Sequence, residues 1–137
     1  MFDAIIPIRS GSKGIKNKNL INFQGDLLVN FTLKKLLKIK DIKRIFVLTD
    51  SENYKSKILR NNKIDLNYDR PRRLSGDNSS VNALIKDFLR KEGKKKNIQK
   101  ILFFQVTAPL ISIREIKKTI KFIKDKKMNS LIHVSEM

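Results

Sequence analysis

Short apolar runs alternate with amphipathic segments along the whole of this chain, and this alternation restricts its fold more than any other feature. The apolar runs predict five β-strands, over residues 4–8, 44–48, 64–68, 101–104 and 130–134. Segments with an apolar stripe at helical spacing predict four helices, over residues 27–39, 52–61, 81–92 and 113–127. Right-handed crossovers leave few arrangements for such a series. The sequence therefore predicts an α/β fold with three layers and a mainly parallel sheet.

The first apolar run leads directly into a loop that is rich in glycine, serine and basic residues. A continuous β-branched run over residues 4–8 suits a strand buried on both faces, and open α/β sheets bind ligands at the carboxyl ends of such strands. Gly11 and Gly14 let the backbone approach a ligand, while the neighbouring serines and cations suit a polyphosphate. We therefore expect a nucleoside triphosphate loop, although it is neither a Walker A loop nor GxGxxG. On composition alone, an ordinary polar turn on a lysine-rich surface is the favoured interpretation.

Serine residues mark the predicted starts of three helices. Ser51 precedes one helix, and Ser79 or Ser80 precedes the next, in positions where a side-chain oxygen can cap the helix. Ser112 and Glu115 form a capping box before the last helix. Each serine predicts where a helix begins.

The bulk composition fits one compact domain over residues 1–137, since 40% of the residues are hydrophobic. The absence of cysteine excludes a disulfide framework, a thiolate zinc site and a cysteine nucleophile. No apolar run approaches the roughly 20 residues that a transmembrane helix needs, and the first residues do not have the pattern of a signal peptide. We therefore expect a cytoplasmic protein without a membrane partner.

The chain is strongly basic, with 31 lysine and arginine residues against 13 acidic residues and a formal net charge of +18. Such a charge attracts phosphate, nucleic acid and anionic membranes without specificity. The lysines are spread over every predicted helix, and no basic repeat is interleaved with aromatic residues. This pattern favours solvated helix faces and no specific nucleic-acid partner. A basic nucleic-acid-binding protein is the less favoured alternative.

Four polar loops follow the predicted strands at their carboxyl ends. They cover residues 10–19, 49–52, 69–80 and 105–111. Because the carboxyl ends of parallel strands meet at one edge of a sheet, these loops converge there. The sequence therefore predicts the binding site at this edge.

The first of these loops resembles the opening motif of the N-acylneuraminate cytidylyltransferases, the CMP-sialic acid synthetase family. Residues 7–14 read PIRSGSKG and are followed by Lys18, Asn19 and Leu20, as in that motif. The loop thus resembles the family in sequence as well as in its expected place in the fold.

The later loops resemble the same family in the same order. TDSE at residues 49–52 is similar to the family's TDSEE, and RPRRLSGDNSS at residues 70–80 is similar to RPxxLxxDxSS. QVTAPL at residues 105–110 is similar to LQPTSPLR, and LIHVSE at residues 131–136 is similar to SVVSVTE. Ordered motifs at compatible spacing are far more specific than any one motif, and the resemblance covers all 137 residues.

The resemblance implies a Rossmann-like nucleotidyltransferase domain that transfers CMP from CTP to the anomeric hydroxyl of a nonulosonic acid of the sialic type, with release of pyrophosphate. It implies catalytic roles for three cations beside the triphosphate, namely Arg9, Lys13 and Lys18. It implies nucleotide binding by Ser10, Gly11, Ser12, Asn19, Arg70, Ser79 and Ser80. Gln105 would face the sugar acid. CTP and the nonulosonic acid are the expected partners.

Several of these positions also have a structural interpretation. Arg70 lies beside two further arginines, which suits a merely basic surface, and Ser80 suits a helix cap. Asp50 suits a cap more than a metal ligand, and the amide of Gln105 could satisfy backbone groups at a strand end. His133 lies in the middle of a predicted strand, and we assign it no role.

The chain also departs from the family pattern. Val106, Ala108 and Ile111 stand where the family usually has Pro, Ser and Arg, so the loop that faces the sugar is altered. Related nucleotidyltransferases that act on pseudaminic, legionaminic or 3-deoxy-octulosonic acid are therefore the nearest alternatives. The loops over residues 10–19 and 105–111 favour the nine-carbon acids over the eight-carbon acid.

The largest departure is length. Family enzymes continue past the fifth strand, into a segment with the acidic pair that holds Mg²⁺ and with a dimerisation arm, so we expect a fold truncated at its C-terminal end. Mg²⁺ is the expected cofactor, but this chain has no identifiable ligands for it, and Asp50 and Asp77 are weak substitutes. A homodimer or a complementing C-terminal chain would then be the partner. The alternatives to an active enzyme are a non-catalytic nucleotide-binding module and one half of a split enzyme.

Overall fold

The computed structural model describes residues 1–8, 22–23, 26–76, 80–105 and 112–126. Within these residues the strands are β1 (Phe2–Ile8), β2 (Asn22–Phe23), β3 (Asp26–Leu27), β4 (Ile42–Thr49), β5 (Ile64–Asp65) and β6 (Ile101–Phe103). The α-helices are α1 (Leu28–Leu37), α2 (Glu52–Lys57), α3 (Val81–Phe88) and α4 (Ile113–Lys126). A 3₁₀ turn (Arg72–Leu74) precedes α3, and a π-helical turn (Leu89–Gly93) follows it.

The main sheet is parallel and has the strand order β5-β4-β1-β6. β1 is central, with Ile5 opposite Phe46 of β4 and Phe103 of β6. From β1 the chain passes to β4 and β5 on one side and then crosses to β6 on the other. β2 and β3 form a separate antiparallel pair. The predicted α/β fold with a mainly parallel sheet is confirmed.

Alternate residues of the central strands enter two different hydrophobic layers, because successive side chains of a strand point to opposite faces. On one face, β1 contributes Ala4, Ile6 and Ile8 to a layer that also contains Val29, Leu33, Leu36, Tyr54, Ile58, Ile116 and Ile120. On the other face, Ile5, Phe46 and Leu48 pack with Tyr68, Leu74, Leu84 and Phe88. The three predicted layers are therefore present: of the described α-helices, α3 packs on one side and α1, α2 and α4 on the other.

The helix after β4 is shorter than predicted, since α2 ends at Lys57 and the prediction extended to residue 61. Ile58 has extended backbone (φ −79°, ψ 140°) and buries its side chain in the core. Asn30 of α1 supplies hydrogen bonds that the helix gives up there: its Oδ1 accepts from the Leu59 N–H at 2.8 Å, and its Nδ2 donates to the Lys57 carbonyl at 3.3 Å. The helix therefore ends where Ile58 enters the core.

β5 and the helix after it also differ from the prediction. β5 covers two residues of the predicted strand 64–68, because the Asp65 carboxylate accepts from the Asn67 N–H at 2.8 Å and turns the chain away. The predicted helix over residues 81–92 is divided into α3 and the π-helical turn. The predicted strand over residues 130–134, with His133, lies outside the described residues.

The serine caps are confirmed at three helix starts. The Oγ atoms of Ser51, Ser80 and Ser112 accept from the backbone N–H three residues later, at 3.2, 3.0 and 3.0 Å. Each bond satisfies one of the free N–H groups of a first helical turn. In the part of the chain that the structure describes, no helix has the length and apolar character needed to cross a bilayer.

Candidate nucleotide site

The strand order reverses at β1, between β4 on one side and β6 on the other. β6 pairs with β1 over residues 3–5, the Phe104 N–H donates to the Ile5 carbonyl at 2.9 Å, and β1 continues to Ile8. Residue 9 and Gln105 therefore continue the chain from the ends of neighbouring strands. Doubly wound sheets bind their ligands at such a reversal, so this edge is the candidate site.

Most of the predicted site residues lie outside the described residues. They are Arg9, Ser10, Gly11, Ser12, Lys13, Lys18, Asn19 and Ser79, together with Asp77, Val106, Ala108 and Ile111. The described site residues are Arg70, Ser80 and Gln105.

The end of β4 turns sharply into α2 beside the end of β1. Thr49 is buried and lies opposite Ile8, and its Oγ1 accepts from the Ser51 N–H at 3.3 Å. Ser51, not Asp50, is the residue that caps α2. Burial, and to a smaller extent the charge of Asp50, raise the pKa of the Tyr54 hydroxyl in the first turn of this helix.

Arg70 is fixed at the same edge through its backbone and its side chain. Its N–H donates to the Thr49 carbonyl at 3.3 Å, next to a parallel bridge between Thr49 and Asp69. Its Nε donates to the Leu74 carbonyl at 3.0 Å, and the Ser75 hydroxyl donates to the Pro71 carbonyl at 2.8 Å. The Arg70 side chain thus reaches across the 3₁₀ turn to the carbonyl of its last residue, Leu74.

Ser80 and Gln105 complete the described part of the site. Ser80 is exposed at the start of α3, and its hydroxyl keeps a hydrogen to donate while its oxygen caps the helix. Gln105 is exposed and follows β6. The segment with Asp69 and Arg70 pairs with β4 at Thr49, on the side away from β1, so β4 and β1 both separate it from β6. Arg70 and Gln105 therefore lie about 14 Å apart, three strand spacings. That span suits a ligand with a base at one end and a reacting group at the other.

The described carboxylates at this edge do not form a metal site. Lys55 Nζ lies 2.8 Å from Asp69 Oδ1 and 3.6 Å from Glu52 Oε1, so those two acids already have a cation. In the described ranges, no group of three His, Cys, Asp or Glu side chains has the arrangement of a metal site. No step of the chemistry below is therefore assigned to a metal held by these residues.

A buried carboxylate that the sequence analysis missed lies on α3. Asp87 is only 4% exposed, and its oxygens accept from Tyr68 Oη at 2.5 Å, Arg90 Nη2 at 2.8 Å and Arg73 Nη2 at 3.2 Å. Lys91 Nζ is 3.2 Å away. A signal was present in the sequence, because position 87 falls within the apolar stripe of α3, beside Leu84 and Phe88.

The pKa values of this pair move in opposite directions. Burial raises the pKa of Tyr68 far above its usual range, and the hydrogen bond and charge of Asp87 add to the effect. For Asp87, burial alone would raise the pKa, but the hydrogen bonds donated by its neighbours outweigh burial and lower the pKa to about 2. Tyr68 therefore stays a donor and Asp87 stays an ionised acceptor.

The chain matches one protein family over nearly its whole length. The family model described as cytidylyltransferase matches residues 4–136. An N-acylneuraminate cytidylyltransferase of Streptococcus agalactiae serotype V is 32% identical over 135 residues, which cover 97% of this chain and 32% of that protein. An N-acylneuraminate cytidylyltransferase of Escherichia coli O18:K1:H7 is 43% identical over 51 residues, which cover 37% of this chain and 12% of that protein. The chain spans about a third of the length of the Streptococcus relative.

Solved structures share the fold. A CMP:2-keto-3-deoxy-manno-octonic acid synthetase complexed with CTP superimposes with a TM-score of 0.70 at 16% identity, covering 93% of this chain and 49% of that chain. A cytidylyltransferase of Leptospira borgpetersenii serovar Hardjo-bovis gives a TM-score of 0.67 at 22% identity, covering 92% and 49%. The parallel sheet with its reversal at β1 is thus the sheet of a Rossmann-like nucleotidyltransferase. On the match over residues 4–136, this chain belongs to the cytidylyltransferase family.

Proposed function

We propose that this chain transfers CMP from CTP to the anomeric hydroxyl of a nonulosonic acid and releases pyrophosphate. The observation that carries the proposal is the reversal of strand order at β1, directly before the residues that resemble the family's opening motif. The similarity to N-acylneuraminate cytidylyltransferases supports the choice of a nine-carbon acid.

In the proposed reaction the anomeric oxygen attacks the α-phosphorus of CTP. A new bond forms between that oxygen and the α-phosphorus, and the bond from the α-phosphorus to the bridging oxygen of the β-phosphate breaks. The hydroxyl proton is lost to solvent, and pyrophosphate leaves with the bonding electrons. Arg9, Lys13 and Lys18 would stabilise the negative charge that grows on the leaving group.

The nucleotide would be held by the first loop and by the segment that follows β5. Ser10, Gly11, Ser12 and Asn19 are assigned to the triphosphate, and Arg70, Ser79 and Ser80 to the cytidine. The two hydrogen bonds that fix Arg70 support this assignment, because a pre-positioned donor loses less conformational entropy when it binds.

Gln105 is assigned to the sugar acid, at the end of β6. The altered residues after it leave open which nonulosonic acid is used, and a competition series of free sugar acids would rank them. Mg²⁺ is the metal that the family resemblance implies, and we place its binding chiefly on the substrate phosphates.

The direct test measures pyrophosphate release from CTP with Mg²⁺ and a panel of nonulosonic acids, beside a CTP titration of the same sample. We expect release that requires an acid acceptor and falls at least tenfold in Arg9→Ala. Arg60→Ala is the matched control. Arg60 is an exposed arginine that precedes β5, at the amino ends of the strands, whereas the candidate site lies at their carboxyl ends.

Other outcomes would contradict the proposal in different ways. Saturable CTP binding without release would indicate a nucleotide-binding module or one half of a split enzyme. Equal binding of any polyanion, falling steeply with salt, would indicate a basic nucleic-acid-binding protein.

A further inference from the structure

We infer that Asp87 is a positioning residue for nucleotide binding: it holds the segment over residues 68–76 in the conformation that presents Arg70 at the sheet edge. The inference rests on the proposed function for its ligand, CTP. Asp87 itself lies on α3, outside the four loops that resemble the family motifs.

Asp87 contacts the segment on both sides of Arg70. Tyr68, two residues before Arg70, donates to Asp87 Oδ2 at 2.5 Å. Arg73, three residues after it, donates to Asp87 Oδ1 at 3.2 Å. One buried carboxylate therefore fixes two points of the chain between which Arg70 lies.

The second of these points is linked to Arg70 by a short path. Arg73 lies in the 3₁₀ turn and is followed by Leu74, whose carbonyl accepts from Arg70 Nε at 3.0 Å. The Leu74 side chain is buried in the same layer as Tyr68 and Leu84. A shift of the turn away from Asp87 would move the acceptor that orients the Arg70 guanidinium.

The charge of Asp87 matters as well as its shape. Its two oxygens receive four donors, three of them on the cations Arg73, Arg90 and Lys91. An asparagine offers one acceptor oxygen and turns an NH₂ group toward the remaining donors. Asp87→Asn therefore loses contacts to the segment while keeping the size of the side chain.

A matched control exists at the opposite end of the sheet. Asp3 is also 4% exposed and accepts two hydrogen bonds from Arg44, at 2.8 and 3.0 Å. It lies at the start of β1, whereas the candidate site lies beyond the end of that strand. Asp3→Asn thus removes an equally buried charge without touching the segment over residues 68–76.

The experiment compares Asp87→Asn, Tyr68→Phe and Asp3→Asn in two assays on the full chain. The first is a CTP titration, and the second is amide hydrogen exchange without nucleotide at Leu74 and Ser75, whose N–H groups donate within the 3₁₀ turn at 3.0 Å. We expect Asp87→Asn to weaken CTP binding about tenfold and to speed exchange at both amides about tenfold. Tyr68→Phe keeps the ring against Phe88, so it should fold and show the same changes at about threefold.

Asp3→Asn should lower the melting temperature while CTP affinity and both amides stay within about twofold of wild type. The inference is overturned if Asp87→Asn, or Tyr68→Phe where the former does not fold, changes CTP affinity and the two amides no more than Asp3→Asn does. A wild-type protein that binds no CTP would refute the proposed function instead, and the exchange rates would still decide whether Asp87 fixes the segment.

Discussion

At the scale of single residues, the neighbours of Asp87 lower the pKa of its carboxyl by more than burial raises it. The groups that face it are Tyr68, Arg73, Arg90 and Lys91. Lysine and arginine stay protonated in acid, and Tyr68 has a raised pKa, so the carboxyl is the titrating group of this cluster. Its charge state therefore links the cluster to pH.

Acidification should remove the stability that this carboxylate contributes. The pKa of Asp87 falls from 3.8 to about 2 on folding, so its ionised form stabilises the folded state above pH 3.8, and this stability is lost as pH falls through about 2. We expect the difference in unfolding free energy between wild type and Asp87→Asn to shrink by about 1–2 kcal/mol across that window. Urea unfolding at stepped pH measures it, and a difference that does not change with pH would contradict the assignment.

Arg70 gives a second prediction at this scale. Because its guanidinium is assigned to the cytidine, Arg70→Ala should raise the dissociation constant for CTP at least tenfold, the usual cost of a hydrogen bond to a charged group. Arg72→Ala is the control, since Arg72 is an exposed arginine of the adjoining 3₁₀ turn. Calorimetric titration would show an equal loss in both variants if only the general positive charge mattered.

Whether a side-chain contact could be predicted from the sequence depended on how many residues separate its two partners. The caps at Ser51, Ser80 and Ser112 bond three residues along the chain, so sequence was sufficient to predict them. Asp87 accepts hydrogen bonds from Tyr68, 19 positions away, and from Arg73, 14 positions away. No local sequence pattern around Asp87 identifies those two donors.

At the scale of elements, the order of strands and helices followed from hydrophobic periodicity, but several lengths did not. α2 ends at Lys57 because Ile58 enters the core and Asn30 of another helix satisfies the freed backbone groups. That contact joins positions 27 and 29 residues apart, beyond the reach of a local pattern.

Asn30→Ala tests this account of the helix boundary. The substitution removes partners of the Leu59 N–H and the Lys57 carbonyl, and the gain in helix propensity offsets part of the loss, so we expect a net destabilisation of about 1 kcal/mol. Urea unfolding would measure the change. Asn62→Ala, at an exposed asparagine before β5, should stay within about 0.5 kcal/mol of wild type. Equal stability of the two variants would show that Asn30 does not fix the boundary.

At the scale of the whole molecule, the sheet brings together segments that are far apart in sequence. Periodicity predicted a parallel sheet, yet the position of β6 beside β1 depends on tertiary packing that no single strand encodes. The ends of β1, β4 and β6 then share one edge with Arg70 and Gln105. The positive charge provides a competing surface, because Arg114, Lys117, Lys118 and Lys121 line one side of α4.

The most direct test of a nucleotide site at the reversal of the sheet is amide chemical-shift mapping during a CTP titration at physiological ionic strength. We predict saturable changes in the amides next to the carboxyl ends of the strands, including Thr49, Arg70, Phe104 and Gln105. Changes centred on the basic side of α4, with no saturation, would contradict the account. They would show that CTP is held by general positive charge and that the edge of the sheet is not its site.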